Sequence, residues 1–438
     1  MSDDAAGDRP PHTLPKGCDM STDRPALTDR PSGRVSHHAG FWIVAAAFVL
    51  VMAYSTVPTP LYPLYQQRDG FPVWMITVIF AAYAVGVVFS LFFVGHISDW
   101  AGRRRMLLIA ILISALSAAL FLLWSSPEGL IVARLVNGIS IGVLTATATA
   151  HLGELRSASH PDENAIVAAS VAGAANIGGL ALGPLIGGLF AEFLPDPLIL
   201  PHAVFLVVLV VAAIVVTAVP ETVTAPSAPV RYRPQRLAVP PRSRSAFVAA
   251  GFGAFAGFAL FGLFTSLAPS ILAGTFHDGD HLVAGATTFA VFGAAAAGQV
   301  LLARIRLTTQ LVVASASCAI GLAGVATGAL LPALAVFVVG GIVAGLGVGL
   351  LFKSAIATAA ALAEPTRRGE TLAFIFLIAY CGLALPVLAV GVAVAFLPED
   401  AVLVVFVAVV LVATVAAGLV MARRARADER ERDAAQSS

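Results

Sequence analysis

Charged side chains are rare within the long apolar stretches of this sequence, and Arg134 is the one best placed to do chemistry. It follows Glu128 by six residues, about 9 Å along a helix, so it would lie inside the apolar layer of a membrane. Inserting an arginine there costs roughly 2.5–3.5 kcal/mol. That cost predicts a role in anchoring a substrate or in coupling transport to protons, with a purely structural ion pair as the alternative. Asn137, one helical turn further on, is expected to share the role.

No aspartate or glutamate lies deep in any apolar stretch. Proton antiport generally uses a buried carboxylate whose pKa is raised by desolvation. The candidates for coupling are Asp69 or Glu128 together with Arg134. The remaining cation of these stretches, Lys353, is expected to extend its side chain to the nearer membrane surface.

Uncharged polar side chains within the apolar stretches predict the lining of a cavity. The candidates are Tyr54, Thr56, Tyr83, Asn176, Gln299 and Tyr380. Phenylalanines also recur every third residue from Phe252 to Phe264. Each step turns the row by about 60° around a helix, so the rings cannot all face one cavity. Packing or lipid contact is the preferred interpretation of this row, and Phe258 and Phe261 are the candidates for contact with an apolar substrate.

Patterns for metal, cofactor or nucleotide chemistry are weak. The segment His277-Asp-Gly-Asp-His281 is interpreted as a solvated turn, and the three cysteines have no metal or redox spacing. The two lysines follow Pro15 and Phe352, which excludes the Gly-Lys of a nucleotide-binding P-loop. We therefore expect no cofactor, no metal and no ATP hydrolysis.

The composition indicates an integral membrane protein built entirely of helices. Of 438 residues 58% are hydrophobic and 12% charged, against about 25% charged in soluble domains. This balance and a net charge of +1 exclude a soluble enzyme and a nucleic-acid binder. Apolar stretches long enough to span a bilayer occur at residues 40–63, 73–94, 106–124, 128–152, 165–192, 198–219, 246–272, 282–303, 308–330, 332–362, 370–396 and 400–422, numbered here as spans 1–12.

Arginine placement predicts the orientation of these spans. Nearly all of the 26 lysines and arginines fall in the two tails or in alternate loops on one side, whereas Arg68 lies on the other side. Positively charged loops stay in the cytoplasm. We therefore expect a multi-pass protein of the plasma membrane with both termini in the cytoplasm.

Short repeats predict two six-helix halves. Gly179-Leu-Ala-Leu-Gly of span 5 returns as Gly382-Leu-Ala-Leu in span 11, and the Gly138 and Gly142 pair of span 4 returns in span 10 at the same displacement. The predicted organisation is a disordered tail at 1–39, helical bundles at 40–219 and 246–422, a linker at 220–245, and a tail at 423–438. Two parallel halves with a site near their midplane are typical of transporters.

The loop between spans 2 and 3 reads Gly95-His-Ile-Ser-Asp99-Trp-Ala-Gly102-Arg103-Arg104-Arg105. Its glycines permit tight turns, and Asp99 offers a negative charge to the positive end of another helix. The pattern G-x-x-x-D-x-x-G-R-K/R resembles the loop 2–3 motif of the major facilitator superfamily. The resemblance implies that Asp99 contacts the start of span 11, near Glu370, as a cytoplasmic gate.

Span 5 contains Gly179-x-x-x-Gly183-Pro184-x-x-Gly187-Gly188, which resembles the superfamily's antiporter motif. Small residues four apart let two membrane helices approach closely, and Pro184 removes a helical hydrogen bond. Span 8, with small residues from Gly293 to Gly298, is the expected partner. In the resemblance this packing closes the outer side, and packing without a role in export is the alternative.

Together these features predict a proton-coupled exporter of a small lipophilic or drug-like molecule, similar to the 12-span drug–proton antiporters. The Pro60-Leu-Tyr-Pro63 sequence matches part of their first-span pattern. The expected partners are the substrate, protons and the lipid bilayer, with the chain a monomer that binds no nucleic acid. Two alternatives are an importer or facilitator of a sugar or other metabolite, and a non-transporting membrane sensor or assembly subunit.

Overall fold

In the computed structural model the described residues are 35–95, 97–163, 166–223, 244–363 and 368–437. Within these ranges the regular structure is helical, without strands. The predicted tail at 1–39 and linker at 220–245 fall largely outside the described residues.

The first helix begins at His37, three residues before the start of predicted span 1 at residue 40. The elements of the first half are α1 His37–Thr56, a 3-10 turn Thr59–Leu61, α2 Tyr62–Asp69, α3 Val73–Phe93, α4 Ser98–Ala101, α5 Arg103–Leu123, α6 Pro127–Ser159, α7 Ile166–Phe193 and α8 Leu200–Val216. Prolines at Pro58 and Pro60 divide α1 from α2, because proline cannot donate the backbone hydrogen bond that continues a helix. The two helices nevertheless form one membrane span.

The second half repeats this order, again with a divided first helix. Its elements are α9 Arg244–Ser266, α10 Ala268–Thr275, α11 His281–Leu301, α12 Leu307–Leu330, α13 Leu334–Leu362, α14 Arg368–Val394 and α15 Glu399–Ser437. Helix α15 continues as a helix through the region predicted as a separate tail. Thr308 Oγ1 donates to Glu429 Oε1 at 2.8 Å, which ties this extension to α12.

Among the described residues eleven helical segments are long and apolar enough to cross a membrane, with α1 and α2 counted together. Helix α8 is also apolar but has 17 residues, which is the lower limit for a bilayer of about 30 Å. With α8 as the sixth span, the helices follow the twelve predicted spans in order.

Glycine contacts show that the two halves are built alike. Side chains at Gly138 and Gly142 of α6 would overlap the backbone of α3, and a side chain at Gly345 of α13 would overlap the backbone of α11. Span 4 therefore packs on span 2 through glycines, in the same way that span 10 packs on span 8. Likewise Gly179 of α7 packs on α1, and Gly382 of α14 packs on α9.

The two halves meet through α7 against α11 and α3 against α14. We call the face that carries Arg103–Arg105 and Arg156 the basic face, and the other the opposite face. Close approaches between the halves lie towards the opposite face, where Gly285 leaves room for the Pro184 backbone carbonyl and Gly391 for the Thr77 side chain. Small side chains at both contacts permit this closeness.

Candidate functional site

Arg134 lies in α6 and is almost completely buried, at 1% exposure. Its Nη1 donates to the Ser55 carbonyl at 2.5 Å. The guanidinium carbon lies 4.5 Å from the centre of the Tyr83 ring and 5.9 Å from that of Phe80. Such cation–π contacts offset part of the cost of burial. Among the described residues no carboxylate forms an ion pair with Arg134.

Several polar atoms beside Arg134 are buried without a hydrogen-bond partner among the described residues. They are Arg134 Nε and both amide atoms of Asn137. The Tyr62 hydroxyl lies within hydrogen-bonding reach of Arg134, and the Tyr83 hydroxyl lies within reach of Ser55 and Tyr380. Because more than nine in ten buried polar groups in proteins are paired, three unpaired atoms at and beside one buried charge indicate a ligand site.

Tyr83 reaches Arg134 because α3 and α6 pack backbone to backbone. A Cβ at Gly138 would overlap the Tyr83 carbonyl, and one at Gly86 would overlap the Leu135 carbonyl. Only glycine allows both contacts. The Gly138 that follows Asn137 in the sequence therefore serves to bring the tyrosine ring to the arginine.

A chain of aromatic rings extends from Tyr83 into the second half of the protein. Tyr83 meets Tyr380 of α14 with ring centres 6.4 Å apart, and Tyr380 meets Phe258 of α9 at 5.8 Å. Phe258 in turn contacts Phe261 at 5.5 Å and Phe352 at 4.6 Å. We call the set Arg134, Tyr83, Tyr380, Phe258 and Phe261, together with Asn137 one helical turn from Arg134 on α6, the central cluster. All six are residues that the sequence predicts for the cavity.

Three other predicted cavity residues lie elsewhere. Tyr54 turns into the first half, where its hydroxyl lies 3.1 Å from Nδ1 of His202. Thr56 Oγ1 donates to the Leu180 carbonyl at 3.0 Å and so joins α1 to α7. Asn176 is half-buried on α7, and among the described residues no ring or polar contact joins it to the central cluster.

His202 is a buried polar residue for which the sequence predicts no role. Its side chain is 0% exposed, stacks on Phe121 at 4.4 Å, and lies with Nε2 3.2 Å from the Tyr65 hydroxyl. The sequence does carry one signal, because histidine is unusual in so apolar a span. The two tyrosine partners come from α1 and α2, and no sequence spacing could have indicated them.

The span 5 motif faces two neighbours. Gly179, Gly183 and Gly187 leave no room for a side chain against α1, whereas Gly188 lies against the α11 backbone at His281. Span 8 is therefore a partner, but the register differs from the predicted one. A side chain at Gly293 would meet no atom within 4 Å, and Gly298 packs on Leu346 of α13 instead.

The loop 2–3 motif forms a charged network within the first half. Arg103 pairs with Asp99 at 2.6 Å and with Glu154 at 3.0 Å. Glu221 Oε1 accepts the Arg103 backbone N–H at 2.8 Å, which satisfies an unpaired donor at the start of α5. Gly102 adopts a φ of 104° that favours glycine.

Asp99 pairs with Arg103 rather than with span 11, contrary to the predicted contact near Glu370. Its side chain is 62% exposed. The motif's first glycine, Gly95, donates its backbone N–H to the Ser90 carbonyl at 2.9 Å at the end of α3. Arg104 Nη1 donates to the Val219 carbonyl at 3.1 Å, beyond the end of α8. The motif thus connects spans 2, 3 and 6 on the basic face.

Lys353 and the acidic loop have helix-capping roles. Lys353 Nζ donates to the Gln299 carbonyl at 2.8 Å, in the last turn of α11, where carbonyls lack helical partners. Because α11 ends on the basic face, this contact directs the Lys353 side chain towards the membrane surface that the sequence predicts for it. Asp280 accepts the Leu282 N–H at 2.7 Å and so caps the other end of α11. Among the described residues no group of three or more His, Cys, Asp or Glu could hold a metal ion.

The protein belongs to the Major Facilitator Superfamily, whose family model matches residues 43–336. Two solved transporters share the fold. The human organic anion transporter MFSD10 (TETRAN) is 18% identical with a TM-score of 0.62, and the match covers 86% of this chain and 98% of that one. A mutant of the nucleoside transporter NupG is 12% identical with a TM-score of 0.63, and the match covers 90% of this chain and 99% of that one. The predicted all-helical, twelve-span fold is confirmed, and the chain is a transporter rather than an enzyme.

Two curated proteins match shorter stretches. The puromycin resistance protein pur8 of Streptomyces alboniger is 32% identical over 159 residues, 35% of this chain and 30% of that protein. The inner membrane transport protein YnfM of Escherichia coli K12 is 25% identical over 134 residues, 31% of each chain. These matches span about a third of each relative.

Proposed function

We propose that the protein exports a small lipophilic molecule across the plasma membrane by alternating access, coupled to the entry of protons. In this proposal the chain acts as a monomer. The halves 40–219 and 246–422 move relative to each other, and the basic face with both termini lies in the cytoplasm.

The observation that carries the proposal is the central cluster. It contains a buried charge, unpaired polar atoms and aromatic rings, and it crosses from one half to the other through the contact between Tyr83 and Tyr380. A relative motion of the halves would separate these two rings. A ligand bound between them would then be exposed to one side of the membrane at a time.

Alternating access requires that each side of the protein can close, and the packing at the opposite face supports closure of that side. The close approaches of Gly285 to Pro184 and of Gly391 to Thr77 would keep that side shut. On the basic face Asp99 pairs within its own half, which leaves it available for span 11 after the halves move. Every residue of the central cluster is at most 5% exposed, so the arrangement fits an occluded state that is shut at the opposite face.

Export is favoured over import by the span 5 motif and by one relative. Gly188 and Pro184 contribute to the contact that shuts the opposite face, as the antiporter resemblance implies. Puromycin resistance, the property named for the relative with 32% identity, suggests removal of a toxic organic compound. An importer of a metabolite is the outcome that the following experiment would reveal instead.

The experiment uses the full chain in liposomes with imposed gradients. A strain that overproduces the protein is first tested against a panel of toxic compounds that includes puromycin, and the compound that it tolerates best becomes the probe. An inward proton gradient should drive the radiolabelled probe outwards against its concentration. Flux that is indifferent to the gradient contradicts proton coupling, and net uptake contradicts export.

A further inference from the structure

The central cluster contains a positive charge and no carboxylate, which is unfavourable for binding a cationic drug. Arg134 brings one buried positive charge, and none of the four ion pairs among the described residues involves it. The nearest predicted carboxylates are engaged towards the opposite face. Asp69 pairs with Arg68 at 2.7 Å, and Glu128 accepts a hydrogen bond from Ser126 at 2.7 Å.

The unpaired atoms around Arg134 are mainly donors. Arg134 Nε and Asn137 Nδ2 are donors and Asn137 Oδ1 is an acceptor, and all three are buried without a partner among the described residues. The guanidinium cannot lose its proton in a protein. A ligand group that accepts several hydrogen bonds and carries a negative charge would satisfy the set, because charge-assisted bonds to arginine are the strongest of this kind.

The other side of the cluster is apolar. Phe258 contacts Phe261 and Phe352, and Phe261 stacks on Phe292 with ring centres 4.2 Å apart. All four rings are at most 5% exposed. Such a surface stabilises a hydrocarbon or aromatic body, and offers nothing to a hydrated inorganic ion.

We propose that the transported substrate is a lipophilic organic anion, whose acidic group binds Arg134, Tyr83 and Asn137 while its apolar body packs on the phenylalanines of α9. This assignment rests on the proposed function only in taking the central cluster as the substrate site. A cationic substrate would instead place its charge beside Arg134 with no carboxylate between them, and like charges at such a distance repel strongly in a dry interior.

Three probes of one scaffold test the charge preference directly. Naphthylacetate, naphthylacetamide and naphthylmethylamine differ in charge while keeping a similar size and the same rings. Equilibrium dialysis against the purified full-length protein in lipid nanodiscs measures their dissociation constants. We expect the acid to bind at least about tenfold more tightly than the amide, with the amine weakest. Equal binding of the three, tighter binding of the amine, or no binding of the acid contradicts the proposal.

Variants test whether Arg134 is the residue that causes the preference for the acid over the amide. Arg134→Gln should abolish the difference between acid and amide, whereas Arg134→Lys should retain part of it. Lys353→Gln is the matched control, because it removes the other positive charge of the spans without touching the central cluster, and it should leave the preference intact. Loss of the preference in Lys353→Gln, or its survival in a folded Arg134→Gln protein, contradicts the assignment to Arg134.

Two further arms test whether the site takes inorganic anions and whether transport depends on protons. Excess sodium chloride or sodium phosphate should not displace the acid, and full displacement would show a site for inorganic anions. The same probes are then followed in liposomes under a proton gradient. If the acid binds tightly but its transport does not respond to the proton gradient, the anion-binding site is supported and proton antiport is contradicted. If the proton gradient instead drives export of the amine, antiport is supported and the anion-binding site is contradicted.

Discussion

At the scale of single residues, the depth of a polar side chain was predictable but its neighbours were not. Tyr83 and Tyr380 fall near the middle of their spans and Arg134 lies six residues inside its own, and the structure joins the three through ring contacts. Tyr54 has a similar depth, yet it bonds to His202. Which way a side chain points depends on the rotation of its helix, and several faces of α1 are apolar enough to be buried.

The two tyrosines therefore predict different phenotypes. Tyr83→Phe removes a hydroxyl that would donate to a ligand, so transport of naphthylacetate should show a several-fold higher KM with little change in thermal stability. Tyr54→Phe leaves His202 Nδ1 without its partner, which should destabilise the protein by about 1–3 kcal/mol and spare KM. Uptake kinetics and thermal unfolding of both variants measure this. The opposite pattern would place Tyr54, not Tyr83, in the site.

At the scale of helices, the sequence indicated which helices pair but not their register. Small residues occur along most of α11, and Gly293 to Gly298 are the densest group. The contact with α7 falls instead at Gly285. Helix tilt selects one pair of positions among many small residues, and tilt follows from packing against all neighbours rather than from local sequence.

Two glycines of α11 provide a matched test of this contact. Gly285→Ala would place a methyl group against the Pro184 carbonyl, whereas Gly293→Ala meets no atom within 4 Å. We expect Gly285→Ala to hold the halves apart at the opposite face and to lower the transport rate about tenfold or more, and Gly293→Ala to transport normally. The measurement compares the transport rates of the two variants in liposomes that contain equal amounts of protein. Equal activity of both variants would remove the contact from the transport cycle.

At the scale of the whole molecule, the arginine distribution makes a prediction about orientation that needs one native cysteine. Cys18 lies in the N-terminal region outside the described residues, and Cys318→Ser with Cys381→Ser leaves it as the single thiol. If the basic face is cytoplasmic, a membrane-impermeant maleimide should label Cys18 only after cells are permeabilised. Labelling of intact cells would invert the proposed topology.

A control for that labelling lies in the loop before α11. Gly279 has open space around it, so Gly279→Cys, introduced into the same background without the native cysteines, should react in intact cells. This loop follows α10 at the opposite face, and its reactivity shows that the reagent reaches the outer surface. Reaction of Gly279→Cys only after permeabilisation, with Cys18 labelled in intact cells, would reverse the assignment of the two faces.

Helix α15 extends well past the membrane that it crosses. Its 39 residues span about 58 Å at 1.5 Å per residue, roughly twice the thickness of the hydrocarbon layer. The hydrogen bond between Thr308 and Glu429 braces this projection on the second half. A compact protein fused in helical register at its end would therefore turn with that half, and would serve as a fiducial for particle alignment in electron cryomicroscopy and as a pointer that reports its rotation.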